Sequence, residues 1–198
     1  VAREVGRVTM PGGVIAWVVA DEIDGGYSGT SFRQALYFQG IGFRLHDILI
    51  MTRSGGRYAG GNRYGKVEFG LILSKGRPRS VHLIRDRPNK HAGLLRQFRA
   101  RRHDGRHREP ARAKPVATLG LRGPVWEYVA GYGGTTTDRY AHDHPALMPE
   151  AMARDLIVSW SRPGDLVLDP FLGSGTTAKM ALLHHRRYLG FEVHRPYF

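Results

Sequence analysis

The chain contains no cysteine among its 198 residues. This absence excludes disulfide frameworks and thiolate zinc sites, and it leaves the redox compartment open. Long apolar runs are also lacking, because no stretch reaches the roughly 20 residues that a membrane-spanning helix needs. The N-terminus does not have the pattern of a signal peptide. We therefore expect a soluble, cytoplasmic protein without a membrane partner.

Acidic residues are scarce relative to basic ones. The chain has 17 Asp and Glu against 30 Lys and Arg, which gives a formal net charge of +13. A charge of this size predicts a polyanionic partner, a phosphate backbone first and an anionic membrane second. A charge that only promotes solubility, or an arginine-rich genome, is the alternative. The length fits one domain with a substantial core.

Aromatic residues are nearly absent from the strongly basic segment between Arg77 and Lys114. A segment of this composition buries little apolar area, so we expect it to be flexible when free. We predict that it faces double-stranded DNA. The proposed phosphate contacts are Arg96, Arg99, Arg101 and Arg102. A solvated arginine-rich linker is the alternative interpretation.

Histidines are plentiful, but no acidic residues accompany them in a ligand pattern. The two closest sets are His103 with His107, inside the basic segment, and His184 with His185, after an apolar helix-like stretch. Histidines near the C-terminus of a helix interact favourably with its dipole. We therefore predict surface or capping histidines and no metal site.

Two blocks of the chain show an α/β rhythm. In the first, residues 14–20 and 43–51 predict strands, and residues 30–39 between them predict a helix with Thr30 or Ser31 as N-cap. In the second, residues 149–161 predict a helix whose buried side carries Met152, Leu156, Ile157 and Trp160. A further strand is predicted at 67–73, and residues 21–29 are expected to form a loop.

The most informative segment is Leu166–Thr177, which reads LVLDPFLGSGTT. A short apolar run ends in an acid, turns through closely spaced glycines and enters a helix predicted over 178–183. Glycines allow a sharp turn close to a ligand, and a helix start offers free N–H groups to an anion. A second acid, Glu192, follows about 20 residues later, where a nucleotide-binding unit places its ribose ligand. A structural turn, or the dinucleotide site of an oxidoreductase, is the alternative.

The run from Asp169 to Thr177 resembles the S-adenosylmethionine motif of the DNA amino-methyltransferases, which methylate adenine N6 or cytosine N4. Residues 144–150 (HPALMPE) resemble the His-Pro-x-x-x-Pro element of the permuted, beta-type branch. Many members carry Lys where this chain has Met148. Residues 12–19 and 30–47 resemble the segments that follow the catalytic motif in such enzymes.

The resemblance implies S-adenosylmethionine as the cofactor and assigns roles to single residues. Asp169 would contact the cationic methionine part, Phe171 the adenine and Glu192 the ribose hydroxyls, while the backbone of the glycine loop would bind the methionine carboxylate. The residues expected to form this site are Asp169, Pro170, Phe171, Gly173, Ser174, Gly175, Thr176 and Glu192, completed at the methionine end by His144 and Pro145.

The sequence contains no Pro-Pro pair. Family members hold the target amino group with an Asp/Ser/Asn-Pro-Pro-Tyr/Phe motif, whose aromatic ring stacks on the flipped base. We therefore expect no catalytic residue in this chain. In the permuted branch the motif lies upstream of the turn at residues 11–13, which here means beyond Val1. We interpret the chain as a fragment cut at both ends and expect it to be inactive alone.

These observations predict an α/β protein with a Rossmann-like methyltransferase sheet, permuted motif order and a basic target-recognition insert, incomplete in this chain. The expected segments are a catalytic-half segment (1–51), the insert (52–125) and a cofactor half (126–198). The predicted activity is site-specific DNA methylation, with adenine N6 favoured. Cytosine N4, an RNA substrate or a non-catalytic nucleic-acid-binding remnant are the alternatives. A partner endonuclease and the oligomeric state have no signature in the sequence.

Overall fold

The structure is a computed structural model that describes residues 1–24, 26–54, 67–97, 103–106, 112–129, 131 and 133–197. Two compact units divide the chain. The first comprises Val1–His82 together with Pro124–Phe198, and the second is the intervening segment Leu83–Gly123. The glycine motif therefore lies in the first unit, and most of the strongly basic segment lies in the second.

The first half of the larger unit is built on a mixed four-stranded sheet. In chain order its elements are α1 (Ala2–Val8), β1 (Val14–Ala20), β2 (Ile23–Asp24), β3 (Gly26–Tyr27), α2 (Thr30–Gly40), β4 (Arg44–Ser54) and β5 (Glu68–Ser74). The sheet order is β1-β5-β4-β10, where β10 is Val125–Val129. β5 runs antiparallel to both of its neighbours, and β10 runs parallel to β4.

The core of this half forms where α2 covers the sheet. Leu71 and Leu73 of the central strand β5 are almost completely buried, and they pack with Phe38 of α2 and Phe43 before β4. Continuous apolar runs such as residues 71–73 are typical of strands covered on both faces. The strands predicted at 14–20, 43–51 and 67–73 and the helix predicted at 30–39 are thus confirmed to within a few residues.

Two local predictions in this half are wrong. The segment 21–29 is not entirely loop, because β2 and β3 pair antiparallel within it. The N-cap of α2 is Gly29 rather than Thr30 or Ser31. Asp21, at the end of β1, accepts a hydrogen bond from the Ser31 N–H at 2.8 Å, and this bond lowers the pKa of the Asp21 carboxyl. Asp21, which follows β1, thus supplies the acceptor for a backbone N–H in the first turn of α2. We had expected a side chain at the helix start itself to supply it.

The second half of the larger unit carries the glycine motif. Its elements are α3 (Glu150–Trp160), β11 (Leu166–Asp169), α4 (Thr176–Leu183) and β12 (Arg187–Gly190), with 3-10 turns at Arg139–Asp143 and Arg195–Tyr197. β11 and β12 pair in parallel. Met152, Leu156 and Ile157 are buried as predicted, whereas Trp160 is only half-buried. Ala153 and Ile157 of α3 pack against Met180 and Ala181 of α4.

The smaller unit is built from short antiparallel pairs. β6 (Arg85–Pro88) pairs with β9 (Leu119–Leu121), and β7 (Leu95–Arg96) pairs with β8 (Lys114–Pro115). An ion pair between Asp86 of β6 and Arg122, which follows β9, links the two strands of the first pair. Hydrogen bonding to the Arg122 guanidinium lowers the pKa of the Asp86 carboxyl. Residues 98–102 and 107–111 of the basic segment lie outside the described part of the chain.

Candidate cofactor site

The glycine loop joins the end of β11 to the start of α4 as the sequence predicted. Gly173 has φ +54° and Gly175 has φ +88°, both in the left-handed region that other residues adopt only at a cost. Gly175 is the N-cap of α4, which begins at Thr176, two residues earlier than expected. Pro170 and Ser174 are half-buried parts of the same turn. The first N–H groups of α4, including that of Thr176, have no partner within the helix.

Asp169 and Glu192 reach the loop from the ends of two adjacent parallel strands. Asp169 Oδ1 accepts from the Phe171 N–H at 2.9 Å. Glu192 Oε2 accepts from the Gly173 N–H at 2.9 Å, and its Oε1 accepts from the His194 N–H at 2.7 Å. These backbone donors, His194 first and Gly173 second, lower the pKa of the Glu192 carboxyl. The carboxylate therefore ties the end of β12 to the glycine loop.

The two strand ends are brought together by close backbone approach. The Phe191 N–H donates to the Asp169 carbonyl at 3.0 Å, and the Leu172 N–H donates to the Phe191 carbonyl at 2.9 Å. A Cβ atom added at Gly190 would lie 2.7 Å from a methyl carbon of Leu172. A side chain at position 190 would therefore push aside the end of the Leu172 side chain, which precedes Gly173.

His144 lies directly against the glycine loop. A Cβ atom added at Gly173 would stand 3.0 Å from His144 Nε2, closer than an ordinary contact. The imidazole Nδ1 accepts from the Ala146 N–H at 3.1 Å, and the ring packs edge-on against Tyr197 with centroids 4.4 Å apart. The structure thus brings together the His-Pro element and the glycine motif, which are separated by some 30 residues in the chain. Pro145, the next residue, is exposed.

Phe171 is the exposed aromatic side chain of the loop. Its relative exposure is 59%, and one neighbour is Trp17 of β1, at a ring centroid distance of 6.1 Å. The Trp17 indole N–H donates to Gln34 Oε1 at 2.7 Å, which fixes its orientation. Sequence reasoning missed both Trp17 and Tyr197 as neighbours of the site, because nothing in their local sequence marks a contact made across the fold.

Comparison with known proteins agrees with this geometry. A family model for DNA methylases (N6_N4_Mtase) matches residues 1–198. The orphan methyltransferase M.BamHII of Bacillus amyloliquefaciens is 42% identical over 200 residues, which cover 99% of this chain and 76% of that protein. The DNA adenine methyltransferase YhdJ of Escherichia coli K12 is 43% identical over 60 residues, covering 30% of this chain and 20% of that protein.

The chain belongs to the DNA methylase family.

Solved structures support the same fold. The M1.HpyAVI–SAM complex superposes with a TM-score of 0.63 at 22% identity, covering 99% of this chain and 76% of that one. The cytosine-N4-specific PvuII DNA methyltransferase superposes with a TM-score of 0.66 at 17% identity, covering 94% of this chain and 61% of that one. The predicted α/β Rossmann-like methyltransferase fold is thereby confirmed, and the family match confirms that the chain is a DNA methylase. The M1.HpyAVI neighbour holds S-adenosylmethionine.

The residues around the loop of this DNA methylase fit that cofactor. A Cβ atom added at Gly175 would meet nothing within 4 Å, so the backbone there is open to a ligand, whereas the His144 imidazole lies against Gly173. S-adenosylmethionine carries a carboxylate, an ammonium and a sulfonium. The free N–H groups at the start of α4 suit the carboxylate, and the Asp169 carboxylate suits the cationic groups. In the described part of the chain, Asp169 Oδ2 accepts no hydrogen bond that would compete.

The basic residues expected to contact DNA are only partly described. Arg96 is exposed on the short strand β7, whose backbone pairs with Lys114. Arg99, Arg101 and Arg102 lie outside the described residues. The unit Leu83–Gly123 carries 12 of the 30 Lys and Arg but only 3 of the 17 acids. Most of the excess positive charge of this DNA methylase is therefore concentrated in the smaller unit.

The described residues offer neither a metal-binding cluster nor a membrane-spanning helix. No group of three or more His, Asp or Glu side chains in the described ranges has the arrangement needed to hold a metal ion. No described helix combines the length and the apolar composition that crossing a membrane requires. The prediction that this DNA methylase has no metal site stays a prediction, because His107 lies outside the described residues.

Proposed function

We propose that the glycine loop, Asp169, Glu192 and His144 form the S-adenosylmethionine site. The observation that carries this proposal is the convergence of three separate chain segments on Gly173, whose N–H donates to Glu192 and whose Cα faces His144. Asp169 would hold the cationic groups, Glu192 the ribose hydroxyls and His144 with Pro145 the methionine end. Phe171 would pack on the adenine. The rest of the proposed cofactor site is formed by Pro170, Ser174, Gly175 and Thr176.

The proposed reaction is transfer of a methyl group to an exocyclic amino group of DNA, adenine N6 in preference to cytosine N4. The 43% identity to an adenine-specific methyltransferase supports adenine, over the 60 residues that match. The bound cofactor supplies an electrophilic methyl group on a sulfonium. The residues of this chain would orient that methyl group and exclude water from it, which suits an in-line displacement.

The sequence has no Pro-Pro pair, and so it lacks the motif that the family resemblance assigns to holding the amino group of the target base. We therefore propose that the 198 residues alone bind cofactor weakly and do not methylate DNA. The larger unit would then supply the cofactor site, and the insert predicted at 52–125 would supply the contact with DNA. The acceptor would be double-stranded DNA in the cytoplasm.

A paired expression experiment tests the proposed reaction. One plasmid encodes the 198 residues alone, and the other encodes the whole open reading frame to which they belong, in a host without its own DNA methyltransferases. Digested host DNA is then analysed by mass spectrometry for N6-methyladenine and N4-methylcytosine. We expect N6-methyladenine only with the whole reading frame.

Each other outcome has a definite meaning. N4-methylcytosine instead would overturn the adenine assignment and keep the cofactor site. Methylation by the 198 residues would contradict the expected inactivity. No modified base in either strain, together with no rise in melting temperature of the purified chain at saturating S-adenosylmethionine, would favour a non-catalytic nucleic-acid-binding remnant, because a ligand that binds only the folded state must stabilise it.

A further inference from the structure

Lys179 makes two ion pairs that the glycine motif does not explain. Its Nζ donates to Asp138 Oδ2 and to Glu150 Oε1, both at 2.7 Å. Side-chain exposure is 29% for Lys179 and Asp138 and 23% for Glu150. Thr136 Oγ1 donates to the same Glu150 oxygen and accepts from the Asp138 N–H. These side chains form one connected cluster, here called the Lys179 cluster (Thr136, Asp138, Glu150 and Lys179).

The two acids stand on either side of the segment that carries His144. Asp138 immediately precedes the 3-10 turn Arg139–Asp143, and Glu150 is the first residue of α3. Lys179 lies on α4, one turn after the glycine loop. A single ammonium group therefore fastens both ends of residues 139–149 to the helix that the glycine loop begins.

A second cation supports the middle of the same segment. Arg53 of β4 donates from Nη1 to the Leu147 carbonyl at 3.1 Å, while its other nitrogens pair with Glu68, the first residue of β5. The 3-10 turn and the extended residues after it form few backbone bonds of their own. The position of this segment depends on side chains that reach it from neighbouring elements.

A general contribution to stability is the simpler interpretation of such pairs, since an exposed ion pair is worth about 0–1 kcal/mol. Two features argue against it. The ammonium joins two carboxylates from different elements, and both bonds are short and partly shielded. Hydrogen bonds to Asp138 and then to Glu150 raise the pKa of Lys179, so the charged form is the one that the folded chain favours.

We propose that Lys179 is a positioning residue, which through Asp138 and Glu150 holds residues 139–149 so that the His144 imidazole stays against Gly173. The contact between His144 Nε2 and the glycine loop is made across two chain segments, and the Lys179 cluster is where these segments are joined. The consequence for S-adenosylmethionine affinity rests on the proposed function. The role of Lys179 in placing His144 does not rest on the proposed function.

The test compares Lys179→Met, Lys179→Arg and a control, Arg122→Met, which breaks an ion pair in the smaller unit. Two-dimensional NMR of the imidazole groups and of the backbone amides reports the environments of Gly173 and of His144, whose ring centroid lies 4.4 Å from that of Tyr197. We expect the His144 and Gly173 signals to move in Lys179→Met, to return in Lys179→Arg and to be unchanged in Arg122→Met. Calorimetric titration should show a loss of S-adenosylmethionine affinity of about tenfold in Lys179→Met only.

The outcomes separate the two proposals. Unmoved His144 and Gly173 signals in a folded Lys179→Met chain would overturn the positioning role, whatever the affinity. If wild type binds no S-adenosylmethionine while the His144 signals still move, the proposed function fails and the positioning role stands. Should Lys179→Met not fold, the double variant Asp138→Asn with Glu150→Gln removes both acceptor charges at nearly constant shape. The positions of the His144 and Gly173 signals in this double variant then test the positioning role.

Discussion

Replacing Gly173 by alanine is the sharpest test of the site, because Gly175 offers a matched control. Both glycines have positive φ, +54° and +88°. A Cβ atom at Gly175 meets nothing within 4 Å, whereas at Gly173 it meets His144 Nε2 at 3.0 Å. The two alanine variants therefore share the backbone cost and differ in one steric contact.

The expected magnitudes follow from these two terms. An alanine in the left-handed region costs about 1–2 kcal/mol, and this cost applies to both variants. In Gly173→Ala the imidazole must also shift by a few tenths of an ångström, although its Nδ1 accepts from Ala146 and its ring packs on Tyr197. Weakening that hydrogen bond costs at most about 1 kcal/mol more. We expect Gly173→Ala to lower the free energy of unfolding by up to about 1 kcal/mol more than Gly175→Ala.

Two measurements are needed. Urea unfolding gives the difference in stability, and calorimetric titration gives S-adenosylmethionine affinity. Because the displaced imidazole stands at the proposed methionine end, Gly173→Ala should bind cofactor about tenfold more weakly than Gly175→Ala. Equal affinities, with equal unfolding free energies, would refute the claim that His144 and Gly173 act together.

Three further predictions follow. The folded-state pKa of Glu192 lies below its usual value of 4.5, so the hydrogen bonds of its carboxylate stabilise the chain above that pH, and this stabilisation is lost as the pH falls through the folded-state pKa. Glu192→Gln should therefore make the melting temperature less dependent on pH in the acid range. An unchanged dependence would contradict this prediction. Neutralising Arg99, Arg101 and Arg102 should reduce the salt slope of DNA binding by about two to three units, whereas an unaltered slope favours a solvated linker. Phe38→Ala should cost about 3–5 kcal/mol in urea unfolding, since Phe38 is 1% exposed, and a loss below 1 kcal/mol would contradict its place in the core.

The parts of the fold that the sequence predicted are those whose cause is local. Residues 71–73 form a continuous apolar run, which suffices to predict a buried strand. The glycines at 173 and 175 predict a turn because left-handed backbone is cheap for glycine alone. Both signals act within a few neighbouring residues, so neither needed knowledge of the rest of the chain.

The parts that were missed depend on contacts between distant residues. The acceptor for the Ser31 N–H in the first turn of α2 comes from Asp21, ten residues earlier in the chain. Lys179 looks like an ordinary exposed lysine of a helix, yet its partners lie 41 and 29 residues away. No sequence pattern reveals such ion pairs, because an acid at any position that the fold brings close to Lys179 would form one.

Glu192 shows how one side chain can bind both the glycine loop and a ligand. Each of its oxygens already accepts one backbone N–H, from Gly173 and from His194. An ionised carboxylate has about four lone-pair positions, so each oxygen can accept a further hydrogen bond. A ribose could therefore donate to Glu192 without displacing the loop. The bonds that hold Gly173 would also fix the carboxylate in place before the cofactor arrives, which lowers the entropy lost on binding. Glu192→Gln, which can keep one of these acceptors but not both, should for this reason weaken cofactor binding even at neutral pH.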